Sequence, residues 1–301
     1  MIAGSNPNRS AGTTQIPYVP IVMVFHFPDG TVLDPREPAC NDTISVEQRL
    51  FDGPNFVPAN LVSNGVNVGK AQLGDGFQRA EFWKIVKAHG AKYHTVLTVI
   101  GKPIVVDIQA PSGSTTSPGA CAGKSHRVGK ISFGAFKSIA NDLTEKYARP
   151  AELALLVNYN TFIVLSSGCC FLGIHGALKR PSGIQVLAWG AYNDPGSYPY
   201  IPTAEDISIW THEIGETLND PFLSNAAPPW GHIGQYPFAC SSILEVGDPL
   251  TGTDFRLKHG GFTYHPQELV FFSWFYRTRS VGTEGKYSFE GTIKKTEPLC
   301  R

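Results

Sequence analysis

The 301-residue chain has no uninterrupted apolar run of about 18 residues, the length a membrane-spanning helix requires, so no transmembrane segment is expected. It also has no excess of charge of either sign. Its 25 Lys plus Arg match its 25 Asp plus Glu, so no overall basic field exists to attract nucleic acid or an anionic membrane. There is no G-x-S-x-G elbow, no P-loop and no dinucleotide fingerprint, which leaves serine-hydrolase, NTPase and Rossmann readings without support. The six cysteines include no C-x-x-C pair, which argues against a cysteine zinc ribbon. The N-terminal MIAGSNPNRSAGTTQIP lacks a basic start followed by an apolar stretch. Residues 1–15 therefore read as a disordered lead-in rather than a signal peptide.

What is present describes a packed globular protein: 42% apolar and only 17% charged residues. Cysteines at 40, 121, 169, 170, 240 and 300, widely spaced in Gly/Pro/Ser-rich surroundings, fit disulfides in an exported protein. Cys169 and Cys170, adjacent on an extended stretch, should point to opposite sides and take different partners. A disulfide at Cys240 would anchor the segment that follows it.

Strands are expected at 16–27, ended by the turn Pro28-Asp29-Gly30, and at 93–100, 103–108, 153–165 and 184–192. Residues 34–75 read as loop. Helices are expected at 76–89, at 133–147 with Phe133, Phe136, Ile139, Ala140 and Leu143 on one face, and at 265–277 with Pro266 in its first turn. The stretch KYSFEGTIKK (286–295) reads as a closing strand. With no internal repeat and no linker, the pattern predicts a single α+β domain over 16–301 with a mixed, mainly antiparallel sheet.

The chemistry concentrates in IWTHEIGETLNDP (209–221). His212 and Glu213 open a zinc-protease signature, H-E-x-x-H, with Glu216 in place of its second histidine. Thr203-Ala-Glu-Asp206 resembles a capping box, and Pro221 stops the helix at Asp220. His212 and Glu216 stand one turn apart on one face, away from the core stripe of Ile207, Trp210, Ile214 and Leu218. In a zincin the residue at Glu213 is not a ligand but the base that deprotonates the metal water. A carboxylate at the second ligand position suits Zn2+ and also admits Mn2+ or Ca2+. Gly215, unfavourable inside a helix by about 1 kcal/mol relative to Ala, suggests the close approach of a backbone or a ligand. The alternative is an ordinary helix with its charges turned to water. Further ligands are sought in CSSILEVGDPL (240–250), where Glu245 and Asp248 are carboxylates in an apolar context; the competing reading is a plain turn at Asp248-Pro249. His175 and His232, beside Gly and aromatic residues, read as structural hydrogen-bonders, His232 being a reserve ligand.

HEIGETLNDPF, PPWGHIGQ, LEVGDPLTG and GGFTYHPQELVFFSWF together resemble a group of exported, largely uncharacterised bacterial proteins with H-E-x-x-E-x-x-x-D-P followed by E-[IV]-G-D. DGFQRAEFWK (75–84) and CCFLGIHGA (169–177) extend the likeness over most of the chain. A more distant likeness is to plant phosphate-induced, exordium-type extracellular proteins. The resemblance implies export, metal ligation by His212 and Glu216, a zincin-like base at Glu213, and completion of the site by Glu245 or Asp248. Two functions are then in view. One is a zincin-like metallohydrolase, a peptidase with the strand 184–192 aligning an extended peptide. The other is a non-enzymatic exported protein whose metal or carboxylate cluster holds residues 204–250 together, with exposed aromatics of GSYPYIP (196–202) binding carbohydrate or a protein surface.

Overall fold

The computed structural model describes residues 1–9, 12–166, 168–231 and 240–296, so His232 lies outside the described residues. The strands are β1 (Thr13–His26), β2 (Val32–Leu33), β3 (Ala59–Ser63), β4 (Val66–Ala71), β5 (His94–Val99), β6 (Ile104–Gln109), β7 (Thr115–Ser117), β8 (Val128–Ser132) and β9 (Leu153–Tyr159). They continue as β10 (Thr161–Leu165), β11 (Gly168–Phe171), β12 (Gly173–Arg180), β13 (Gly183–Tyr192), β14 (Ala226–Trp230), β15 (Ser241–Ile243), β16 (Leu257–His259) and β17 (Phe262–Tyr264). The helices are α1 (Val46–Phe51), α2 (Leu73–Glu81), α3 (Trp83–Ala88), α4 (Phe133–Tyr147), α5 (Ser208–Asn219) and α6 (Phe272–Phe275).

The α+β class and the mixed sheet hold. A seven-stranded sheet runs β12-β13-β9-β1-β2, with β5 and β6 also paired to β1. Within it β1 pairs in parallel with β5, β6 and β9, and β13 with β9; the antiparallel pairs are β1 with β2 and β12 with β13. The central sheet is thus mainly parallel, and the antiparallel character expected of it resides in its margins and in the small hairpins. Period-2 alternation feeds two cores. Ala154, Leu156, Leu187 and Trp189 face α4, where Phe136, Ala140 and Leu143 meet them. Leu153, Leu155, Val157 and Ala188 face α5, through Trp210, Ile214 and Leu218. Covered on both faces, β9 is buried along its whole length.

Several local expectations fail for identifiable reasons. The stretch 153–165 is two strands in different sheets, broken at Asn160, whose φ is 46°. The segment 34–75 contains α1 and the β3–β4 hairpin, turned by Asn64-Gly65 with positive φ at both residues. The helix over 76–89 is two, α2 and α3, parted at Phe82. Of the helix expected at 265–277 only α6 forms. Leu269, Val270 and Phe271 are all buried, and a short apolar run suits a buried extended segment as well as a helix. The stretch 286–295 is not a strand: it folds back at Gly291, φ 83°, so that the Tyr287 N–H donates to the Ile293 carbonyl at 3.1 Å. Described residues of the expected lead-in hydrogen-bond to the rest of the chain, and Thr13–Gln15 already belong to β1. The Ala3 N–H donates to the Leu218 carbonyl at 2.7 Å, and the Asn225 amide to the Met1 carbonyl at 2.9 Å.

Disulfides join Cys40 to Cys121 and Cys169 to Cys170, and Cys240 is disulfide-bonded as well. The bond between neighbours contradicts the expectation of separate partners. A register shift between β10 and β11, at Ile163/Val164, interrupts the alternation that would have parted the two side chains.

Candidate metal centre

The helix α5 is buried at all of its 12 residues, so the charges of His212, Glu213 and Glu216 do not face water. It starts later than expected and without a capping box. Thr203 spends its hydroxyl on the Gly252 carbonyl, at 2.9 Å, and no side chain caps Ile207. Its end at Asp220 is as expected. The close approach inferred from Gly215 is real, but it is made by the Leu269 side chain, which a Cβ at Gly215 would meet at 2.4 Å.

Three elements bring donors to this helix. Strand β12 pairs with β13 so that Gly173 stands opposite Gly190 and His175 opposite Ala188, and Ala188 faces α5. His175 therefore projects at the helix. Glu213 reaches the same strand, over a glycine: a Cβ on Gly173 would lie 2.3 Å from Glu213 Oε1. From the other side come Glu245 and Asp248. Leu244 and Val246 are buried in the core, which pins the loop and leaves Glu245 between them free to turn to the site. Asp248 opens a 3-10 turn with Pro249, so the turn and the donor are the same feature. The disulfide at Cys240 lies just ahead of β15.

Glu216 is the centre of the cluster. Its Oε2 lies 3.1 Å from His212 Nε2 and 3.2 Å from His175 Nδ1. Its Oε1 accepts the Gly247 N–H at 3.0 Å. Asp248 Oδ1 is 3.4 Å from His212 Nε2, Glu213 Oε2 is 3.6 Å from His175 Nδ1, and Glu245 Oε2 is 3.7 Å from His175 Nε2. Two groups, His175–Glu213–Glu216 and His212–Glu216–Asp248, each bring one donor atom per residue within 4.8 Å of the others, a spacing that could hold a metal ion.

Gln267 sets the orientation of His212. Its amide N–H donates to the Gly247 carbonyl at 2.8 Å, which turns its Oε1 toward His212 Nδ1 at 3.2 Å. With Nδ1–H given to Gln267, it is Nε2 that faces Glu216 and Asp248. Gly247 leaves space for the ring, since a Cβ there would lie 2.6 Å from it.

The electrostatics describe a cluster that retains protons on its histidines. Burial opposes charge on both histidines, yet the adjoining Glu213 and Glu216 carboxylates hold His175 well above its ordinary range. Glu216 and Asp248 do the same for His212. Burial pushes Glu213 up, while Glu216, although fully buried, is held well below the carboxylate range by the two histidines. Burial and the Glu216 charge push Glu245 up to about 10. Three buried atoms, His175 Nε2, Glu213 Oε2 and Glu245 Oε2, have no hydrogen-bond partner among the described residues. Such atoms are costly unless a ligand takes them up.

His212, Glu216 and Asp248 thus meet as the sequence suggested, whereas Glu245 sits on the other side, against His175. Glu213, expected to stand apart as a base, shares a donor group with His175 and Glu216. Sequence reasoning passed over His175 as a donor, and also over Gln267, which it placed in a helix that does not form. In the GSYPYIP loop Tyr198 is buried and Tyr200 is 71% exposed. The strand β13, proposed to align a peptide, has both edges occupied, by β12 and β9. No helix among the described residues is long and apolar enough to cross a membrane. No protein-family model, curated protein or solved structure gives a significant match to the chain.

Proposed function

We propose that the protein is an exported, zinc-dependent hydrolase acting on peptides. The observation that carries this reading is the set of buried donor atoms of His175, Glu213 and Glu245 that make no hydrogen bond, gathered around the His212–Glu216 pair. Imidazole and carboxylate donors together suit Zn2+, and the share of oxygen also admits Mn2+ or Ca2+. A divalent cation there would polarise a water for attack on a scissile carbonyl. Access is from the side of Glu245 and Asp248, whose side chains are 17% and 19% exposed, while His175, Glu213 and Glu216 form the closed floor. Among the described strands β12, which carries His175, is an edge of the central sheet. An extended peptide paired along that edge would lie beside the donors. The disulfides support export, since such bonds persist in oxidising compartments.

The closed floor favours one second reading, a non-catalytic protein whose cation holds the 204–250 region in place. Hydrolysis separates the two. Zinc-loaded protein is expected to cleave members of a peptide library, and Glu216→Gln is expected to bind no zinc and cleave none. Zinc-bound wild type that leaves every peptide intact would favour the structural reading, and wild type that binds no zinc would defeat both.

A further inference from the structure

The two donor groups in the cluster share Glu216 and no other residue. One adds His212, a turn away on α5, and Asp248 from the loop after β15; the other adds His175 from β12 and Glu213 from α5, and both histidines touch the same oxygen, Oε2, at 3.1 and 3.2 Å. Two donors of one ion, each about 2.1 Å from it, stand about 3.0–3.5 Å apart. Each histidine is therefore at coordination-partner distance from Glu216 Oε2. The remaining Glu216 oxygen is committed to the Gly247 N–H, which leaves Oε2 to serve both groups.

Charge points the same way. Four carboxylates, Glu213, Glu216, Glu245 and Asp248, converge on two imidazoles, and Glu213 and Glu216 are almost wholly buried. One divalent cation would leave two of these carboxylates to be neutralised by protons. A second cation would take the place of those protons. Glu213 Oε2, which faces His175 Nδ1 at 3.6 Å, is also buried without a hydrogen bond, so the group that includes β12 has an unmet donor of its own.

We propose that the cluster is a two-cation centre, with one divalent ion held by His212, Glu216 and Asp248, a second by His175, Glu213 and Glu216, and Glu216 Oε2 between them. The proposal rests on the metal-dependent reading above and deepens it. It makes Glu213 a ligand rather than a free base. It also places the ions close enough to act together on the attacking and leaving oxygens of a substrate, as ions about 3.5–4 Å apart do in two-metal hydrolases.

Chelator-treated protein dialysed against Zn2+ and analysed by elemental mass spectrometry should hold about two equivalents, and Glu213→Gln should hold about one, if the paired arrangement is right. Wild type loaded with Mn2+ should give the electron paramagnetic resonance spectrum of an exchange-coupled pair, a reading that needs no variant to fold. A single equivalent in wild type, unchanged in Glu213→Gln and giving the spectrum of an isolated ion, would overturn the two-cation centre and leave the metal-dependent reading standing. Wild type with no bound metal would overturn both.

Discussion

Chelation of the cation is expected to lower the melting temperature by roughly 8–16 °C. Metal present at about 1,000 times its dissociation constant stabilises the native state by about 4 kcal/mol, and each kcal/mol moves the midpoint by about 2–4 °C in a domain approaching this size. The effect should be large because the donors come from separate parts of the chain. His175 is on β12, His212, Glu213 and Glu216 are on α5, and Glu245 and Asp248 follow β15. A cation held by these donors would fasten the edge of the sheet and the loop after β15 to one helix. Calorimetry with and without EDTA, followed by zinc repletion, reads the shift, and Glu216→Gln should be insensitive to EDTA. A wild-type midpoint that does not move would mean that the cluster is held by its own hydrogen bonds and protons.

The gap between metal-free and zinc-loaded midpoints is expected to widen steeply from pH 5.5 to pH 8.5. In the metal-free protein His175 and His212 titrate above their ordinary range, and Glu245 titrates at about 10. Each binds its proton more tightly folded than unfolded. Their stabilisation is therefore complete below the unfolded values, about 6.5 for His and 4.3 for Glu, and is lost as pH rises toward the folded ones. Glu216 has the opposite sign: its folded pKa is depressed, so its contribution is present above about 4.3 and is lost in acid. The metal-free protein should thus be most stable in mild acid and weaken as pH rises. Zinc must displace the protons on the histidines, so its affinity rises over the same interval. Paired melting curves across the pH series test this, and calorimetric titrations in buffers of different ionisation enthalpy should register proton release. A gap that narrows with rising pH would contradict it.

The sequence made some of this legible because certain segments carry their own explanation. The helix α4 occupies the span expected of it, since Phe136, Ala140 and Leu143 mark one face and Ser132 caps it by accepting the Ala135 N–H. Strands β1 and β13 were likewise visible as apolar runs bounded by turn residues. The site helix was legible in its end, its core stripe and its pairing of His212 with Glu216. What escaped depends on partners distant in sequence. Burial of both faces of α5 cannot be read from a helix that carries three charged residues. The role of His175 arises from the register of β12 against β13, which places it on the face toward α5. The segment around Gln267 is apolar without a period that distinguishes helix from buried extended chain. The adjacent disulfide at Cys169 and Cys170 needed a shift of register that alternation alone does not anticipate.

The most direct measurement is a crystal of zinc-loaded protein examined by anomalous scattering on both sides of the zinc absorption edge. A cation centre of the kind described predicts an edge-dependent peak about 2.0–2.2 Å from His212 Nε2 and from a Glu216 oxygen. Well-ordered density for His175, His212, Glu213 and Glu216 with no anomalous peak among them, in protein soaked at saturating zinc, would contradict it.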